Sequence, residues 1–208
     1  MKRPLALGLV LLAACGEPAA PVRSGGYAFD FGGDVFHWPG GRLPVRYYAD
    51  SRGAMRVLVD RALRVWADQF LYGEFRAVLV GDSADADVMV VWADSVPPDV
   101  PPDAGPPVFA CNGLTAFSLD TSGTALDRPV RAEIGINLGT LFTAAQVAAC
   151  VRRVTIHELG HTLGILRESP GANDVMNTSV PVDQPSDRDR RTVEVLYHTV
   201  PTISPPPR

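Results

Sequence analysis

His157-Glu158-Leu159-Gly160-His161-Thr162-Leu163-Gly164 is the stretch on which the reading of this chain turns. It closes a predicted helix. Thr143, followed three residues later by Gln146, makes a capping box, and the helix is expected to run from there to about Leu163, with Gly164 as its terminator. At 3.6 residues per turn, positions four apart share a face, so the imidazoles of His157 and His161 can reach one metal ion. Neutral imidazole suits zinc, and a catalytic zinc site keeps one position for water. Glu158 falls beside the first histidine on the neighbouring face, where it could accept a proton from that water. Val154, Ile156, Leu159 and Leu163 make the surroundings apolar, and buried imidazoles in such a setting need polar partners that a metal supplies. Two helical histidines can also be plain surface residues, and the five-residue pattern arises by chance in long chains.

Together with Asn173-Asp174-Val175-Met176, this stretch resembles the metzincin zinc metallopeptidases, most closely their bacterial matrixin-like branch. The resemblance implies a zinc-dependent endopeptidase with Glu158 as general base. Gly164 would let the chain turn sharply after the helix and bring a third ligand back to the zinc, and Met176 would lie in a turn beneath the metal. The fold implied is α+β, a twisted, mostly parallel sheet packed on the active-site helix, with a small C-terminal subdomain after Gly164. Ala132 to Asn137 is similar to the family's edge strand. Glu133, Ile134, Gly135, Ile136 and Asn137 would then lie along an extended peptide or protein substrate. Ser186 to Tyr197 resembles the family's terminal helix, with a second capping box at Ser186 and Asp189. Val45 to Asp50 and Ala84 to Val88 are similar to its opening and third strands, so the resemblance spans about residues 43 to 198.

One position departs from the family. The usual third ligand, three residues after the glycine, is here Arg167, a cation with no acceptor. Glu168 follows it, four residues after Gly164 and eight before Met176, the family's usual ligand-to-methionine interval, and a carboxylate completes catalytic zinc sites of the His₂Glu kind. The expected ligands are therefore His157, His161 and Glu168. Asp174 is a rival carboxylate, expected instead to support the turn, while spacing favours neither His37 nor His198. Two other functional readings stay open: a non-catalytic zincin domain that binds peptides or a partner protein, and an amidase acting on cell-wall peptides.

Outward from the motif, 208 residues with 46% apolar content suit one domain with a real core. Lys2 and Arg3 precede an apolar run from Leu5 to Ala14, which has the form of a signal peptide's centre and is too short to span a bilayer. Leu12-Ala13-Ala14-Cys15 resembles the bacterial lipoprotein box, implying cleavage before Cys15, its lipidation, and a membrane anchor held by several acyl chains. The alternatives are a plain secreted form and a buried terminal strand or helix whose cysteine is incidental. Residues 15–31 are expected to form a tether, 32–200 the catalytic domain and 201–208 a frayed proline-rich tail. With Cys15 set apart, Cys111 and Cys150 form either a disulfide, as an exported protein allows, or two buried thiols.

Strands are expected near Leu43–Tyr48, Ala77–Val80, Asp87–Trp92, Leu114–Leu119 and Ala132–Asn137, with a helix from Ala54 to Phe70. Ser95 to Pro107 holds six prolines and reads as an exposed loop of polyproline character. Removing Lys2 and Arg3 with the signal peptide takes the formal charge from −4 to about −6, which argues against nucleic acid as a partner. A monomer is expected. Calcium could bind the acidic loops 82–87 and 183–189, although helix capping and solvation explain those carboxylates equally well.

Overall fold

The computed structural model describes residues 24–93, 110–136 and 142–206. Cys15 and the apolar run before it, the proline-rich stretch, and Asn137 lie outside the described residues.

Five strands form one sheet: β1 (Val45–Ala49), β2 (Ala77–Leu79), β3 (Val88–Ala93), β4 (Cys111–Ala116) and β5 (Val130–Ile136). Their order is β2-β1-β3-β5-β4. The first four in that order run parallel, and β4 lies antiparallel to β5 with Gly113 opposite Ile134 and Thr115 opposite Ala132. Alternation places Val45, Tyr47 and Ala49, Val88 and Val90, and Val130, Ala132 and Ile134 in the core. The architecture is thus a mixed α+β one, with a mostly parallel sheet flanked by helices.

This order corrects the expected substrate strand. The segment carrying Glu133, Ile134, Gly135 and Ile136 is paired on both sides, to β3 and to β4, so it has no free edge. β4 is the edge. The alternation of β5 marks it as a strand but carries no information about its neighbours, which are set by how the chain returns at residues 117–129.

Helix α1 (Met55–Ala67) buries Met55, Val59, Ala62, Leu63 and Trp66, a spacing of three and four that forms one stripe. Trp66 Nε1 donates to the Ile156 carbonyl at 2.7 Å and joins α1 to α2 (Ala144–Thr162). The capping box at Thr143 and Gln146 is present. Most of α2 from Val151 onward is buried, as in a helix enclosed on nearly all sides, and Tyr47 of β1 shares a 2.9 Å hydrogen bond with Thr162. Gly164 ends the helix with φ +111°, and a Cβ there would stand 1.8 Å from the Phe36 carbonyl oxygen. Only glycine meets both conditions. α3 (Asp187–Tyr197) opens with the expected capping box at Ser186 and Asp189.

Cys111 and Cys150 form a disulfide with Cα atoms 5.9 Å apart, tying the start of β4 to α2. Both ends of the expected domain extend further than the sequence suggested. The N–H groups of Gly26 and Tyr27 donate to Thr192 Oγ1, Tyr27 Oη donates to Asp189 at 2.7 Å, and Leu166 N donates to the Phe29 carbonyl. Residues 26–30 are therefore docked on α3 and on the segment after Gly164 rather than part of a tether. In the tail, Ile203 is buried, and the N–H groups of Thr202 and Ile203 donate to the Val35 carbonyl. Proline-rich flanks do not prevent pairing, because the residues between them keep their donors.

Candidate metal centre

The one-turn spacing on α2 sets the two imidazoles side by side, with Nε2 atoms 3.1 Å apart. After Gly164 the chain doubles back and carries Glu168 to them. Its Oε1 lies 3.2 Å from His161 Nε2 and 3.4 Å from His157 Nε2. Among the described residues, these three form the group of His, Cys, Asp or Glu whose ligand atoms converge closely enough to hold a metal.

The other ring nitrogens decide the chemistry. His157 Nδ1 lies 2.8 Å from the Val175 carbonyl and His161 Nδ1 lies 2.5 Å from the Ile165 carbonyl. A carbonyl only accepts, so both Nδ1 atoms must carry hydrogen. In the neutral rings, both Nε2 atoms then present bare lone pairs to each other and to a carboxylate. Three acceptors facing one point require a cation there. An ion about 2.0–2.1 Å from each donor, with tetrahedral angles, sets donors about 3.3–3.4 Å apart, and the observed edges lie near that. The donor set fits a divalent metal such as zinc. Backbone carbonyls behind metal-ligating histidines are also the usual means of fixing ring orientation.

In the apo protein a proton serves instead. Burial works to lower the His157 pKa, but the hydrogen bond to Glu168 and the charges of Glu158 and Glu168 outweigh it and push it up to about 9. For Glu168 burial works upward, while hydrogen bonds and charge from His157 and His161 prevail and hold the carboxyl down to about 2. Both shifts express the same demand for positive charge at the centre of the triangle.

Met176 is fully buried beneath the helix. A Cβ on Gly160 would stand 2.3 Å from Met176 Sδ and 2.6 Å from Trp66 Cζ2, so the turn can approach α2 only at a glycine. The same turn supplies Val175, whose carbonyl orients His157 and whose N–H donates to Asp189 at 2.9 Å. Asp174 is buried and accepts from Ser169 Oγ and, at 2.6 Å, from Ser186 Oγ, with Arg188 3.3 Å away. It braces the turn, as expected, and is not among the converging ligands. Gly160 was not singled out from the sequence, although glycine inside a helix costs about 1 kcal/mol against alanine and so flags a packing reason.

Glu158 is 4% exposed and lies under β4. Thr115 Oγ1 donates to its Oε2 at 2.7 Å, and a Cβ on Gly113 would stand 2.3 Å from its Oε1. Neither residue carries a signal in the sequence: Gly113 falls just before the expected strand, and only the structure places it within β4, where a glycine marks a close approach.

The remaining expected residues go elsewhere. Arg167 Nε donates to the Asp30 carbonyl at 2.7 Å, and its guanidinium lies 5.8 Å from the centre of the Phe31 ring. His37 Nε2 meets the Thr199 carbonyl and His198 Nδ1 the Glu194 carbonyl. The acidic loops are engaged without an ion: Asp82 caps a short turn, Asp87 pairs with Arg42 and Arg46, Asp183 with Arg152 and Arg61, and Asp189 caps α3. Calcium in loops 82–87 or 183–189 therefore has no support from these contacts.

No family model matches the chain, and no curated protein matches it at a significant level.

Proposed function

We propose that this chain is a zinc-dependent endopeptidase of metzincin type, held by His157, His161 and Glu168 as metal ligands and using Glu158 as general base. The observation that carries the reading is the triangle of three acceptors at 3.1, 3.2 and 3.4 Å, with both Nδ1 atoms committed to carbonyls. Bound zinc would supply a Lewis acid that polarises the scissile carbonyl and lowers the pKa of water.

The protein's own groups do the rest. Val175 and Ile165 hold the imidazoles in the tautomer that leaves Nε2 free. Glu158 takes the proton of the attacking water on its carboxylate and returns it to the leaving amine nitrogen. Its burial keeps bulk water from competing for that proton. Among the described residues β4 bounds the sheet beside Glu158, and an extended peptide would lie along that side of the sheet. Gly164, which turns the chain after α2, and Met176, buried against Gly160, support the metzincin comparison. Anchoring through lipidated Cys15 would place the domain at a bacterial membrane surface.

Metal analysis of the purified domain, beside cleavage of a broad peptide library, tests the proposal. One zinc per chain is expected, with cleavage abolished in Glu158→Gln while zinc and fold persist. A wild-type protein that binds no zinc under gentle purification would overturn it.

A further inference from the structure

Glu158 is carried by α2, while the hydrogen bond to its carboxylate and the space for its tip come from β4. Gly113 and Thr115 are two apart on β4, so they share a face of the sheet, and that face lies against Glu158. At one end of the carboxylate, Thr115 Oγ1 donates to Oε2 at 2.7 Å. At the other, the missing side chain of Gly113 is the space that the carboxylate fills. A Cβ there would stand 2.3 Å from Oε1, 2.5 Å from Cγ and 2.6 Å from Cδ of Glu158.

We infer that Thr115 and Gly113 are positioning residues that seat the Glu158 carboxylate, one by a hydrogen bond and the other by leaving room. This inference rests on the peptidase reading above and deepens it. A glutamate side chain has three rotatable bonds, and a general base must keep one oxygen within about 2.6–3.2 Å of the proton it removes. The seat selects one arrangement from those rotamers. Thr115 engages Oε2 while Gly113 makes room for Oε1, so both ends of the carboxylate are set by β4. Because the seat is on the strand that covers Glu158, the position of β4 and the position of the base are set together. The Cys111–Cys150 disulfide, two residues before Gly113, fastens this strand to α2 and keeps the two parts in register.

The test uses Thr115→Val, Thr115→Ser and Gly113→Ala in the full chain. Valine keeps the shape of threonine and removes the donor. Loss of an orienting partner of this kind lowers activity about 10–100-fold, so kcat for Thr115→Val should fall by that factor. KM should stay within about twofold, as expected when the loss is confined to the chemical step. Thr115→Ser restores the donor and should recover most of kcat, which a mere packing role for the threonine methyl would not produce. Zinc content should equal that of the wild type in all three. Crystal structures give a readout independent of turnover: the Glu158 carboxylate should leave its place in zinc-loaded Gly113→Ala and rotate in Thr115→Val. Wild-type kcat in Thr115→Val, or an unmoved carboxylate in both variants, would overturn the inference. If the wild type bound zinc but cleaved nothing, the peptidase reading would fail by itself, and the crystallographic comparison would still decide whether these residues seat Glu158.

Discussion

Glu168→Gln removes one corner of the acceptor triangle while keeping the side chain's length and shape. Two imidazoles with Nε2 atoms 3.1 Å apart would remain. Removing a group that only orients a ligand costs about 10–100-fold in metal affinity, so removing a ligand should cost more than about 100-fold. A second effect separates this from general damage. Glu168 is a main reason that apo His157 keeps its proton up to about 9. Zinc must displace that proton, so apparent affinity of the wild type should climb about tenfold per pH unit between pH 7 and 8.5. Without the Glu168 charge the His157 pKa falls and the slope above pH 7 should flatten. Competition against a chromophoric chelator between pH 6.5 and 8.5 measures both quantities, and circular dichroism confirms the fold. A Glu168→Gln protein with wild-type affinity and an unchanged slope would refute the ligand assignment and the argument from converging acceptors.

Apo stability should depend on pH through the same groups. His157, raised from 6.5 to about 9, contributes stability that is fully present below 6.5 and lost as pH rises through about 9. Glu168, lowered from 4.5 to about 2, contributes stability present above 4.5 and lost as pH falls through about 2. Urea unfolding of the chelated protein should therefore give a higher midpoint at pH 5.5 than at pH 9.5, with a smaller difference in Glu168→Gln. Replacing Cys111 and Cys150 by serine opens a loop of 39 residues, and chain entropy puts the loss at about 4 kcal/mol, measurable as a lowered urea midpoint. Gly164→Ala combines a strained positive φ, about 1–3 kcal/mol, with a Cβ pressed on the Phe36 carbonyl, so destabilisation above about 3 kcal/mol is expected in the same assay.

Much of this molecule could be read from local pattern. The helix carrying His157, Glu158 and His161, its start at Thr143 and Gln146, its end at Gly164, and the start of α3 at Ser186 all depend on groups within about one turn of each other. Glu168 was reached only through the resemblance, whose usual ligand interval before Met176 falls on it, and the fold brings its Oε1 to the two imidazoles. Cys111 and Cys150 were legible as a possible pair from their number. Spacing could not show which strand is the edge. β5 has the better alternation, yet it lies between β3 and β4, and the less regular β4 bounds the sheet. Likewise Gly25 to Phe31 and Thr202 to Ser204 carry no periodic signal, and their order comes from α3, the Val35 carbonyl and the backbone near Leu126.

The helix that carries His157, Glu158 and His161, and the shared face of its two imidazoles, were thus determined by the sequence alone, since a face repeated every four residues and a capped end are properties of a single segment. Tertiary structure decided what meets that helix: the carbonyls of Val175 and Ile165 behind the rings, Met176 beneath Gly160, and Gly113 and Thr115 over Glu158. Those contacts join residues from separate elements, and their energies appear only once the chain has closed the loops between them.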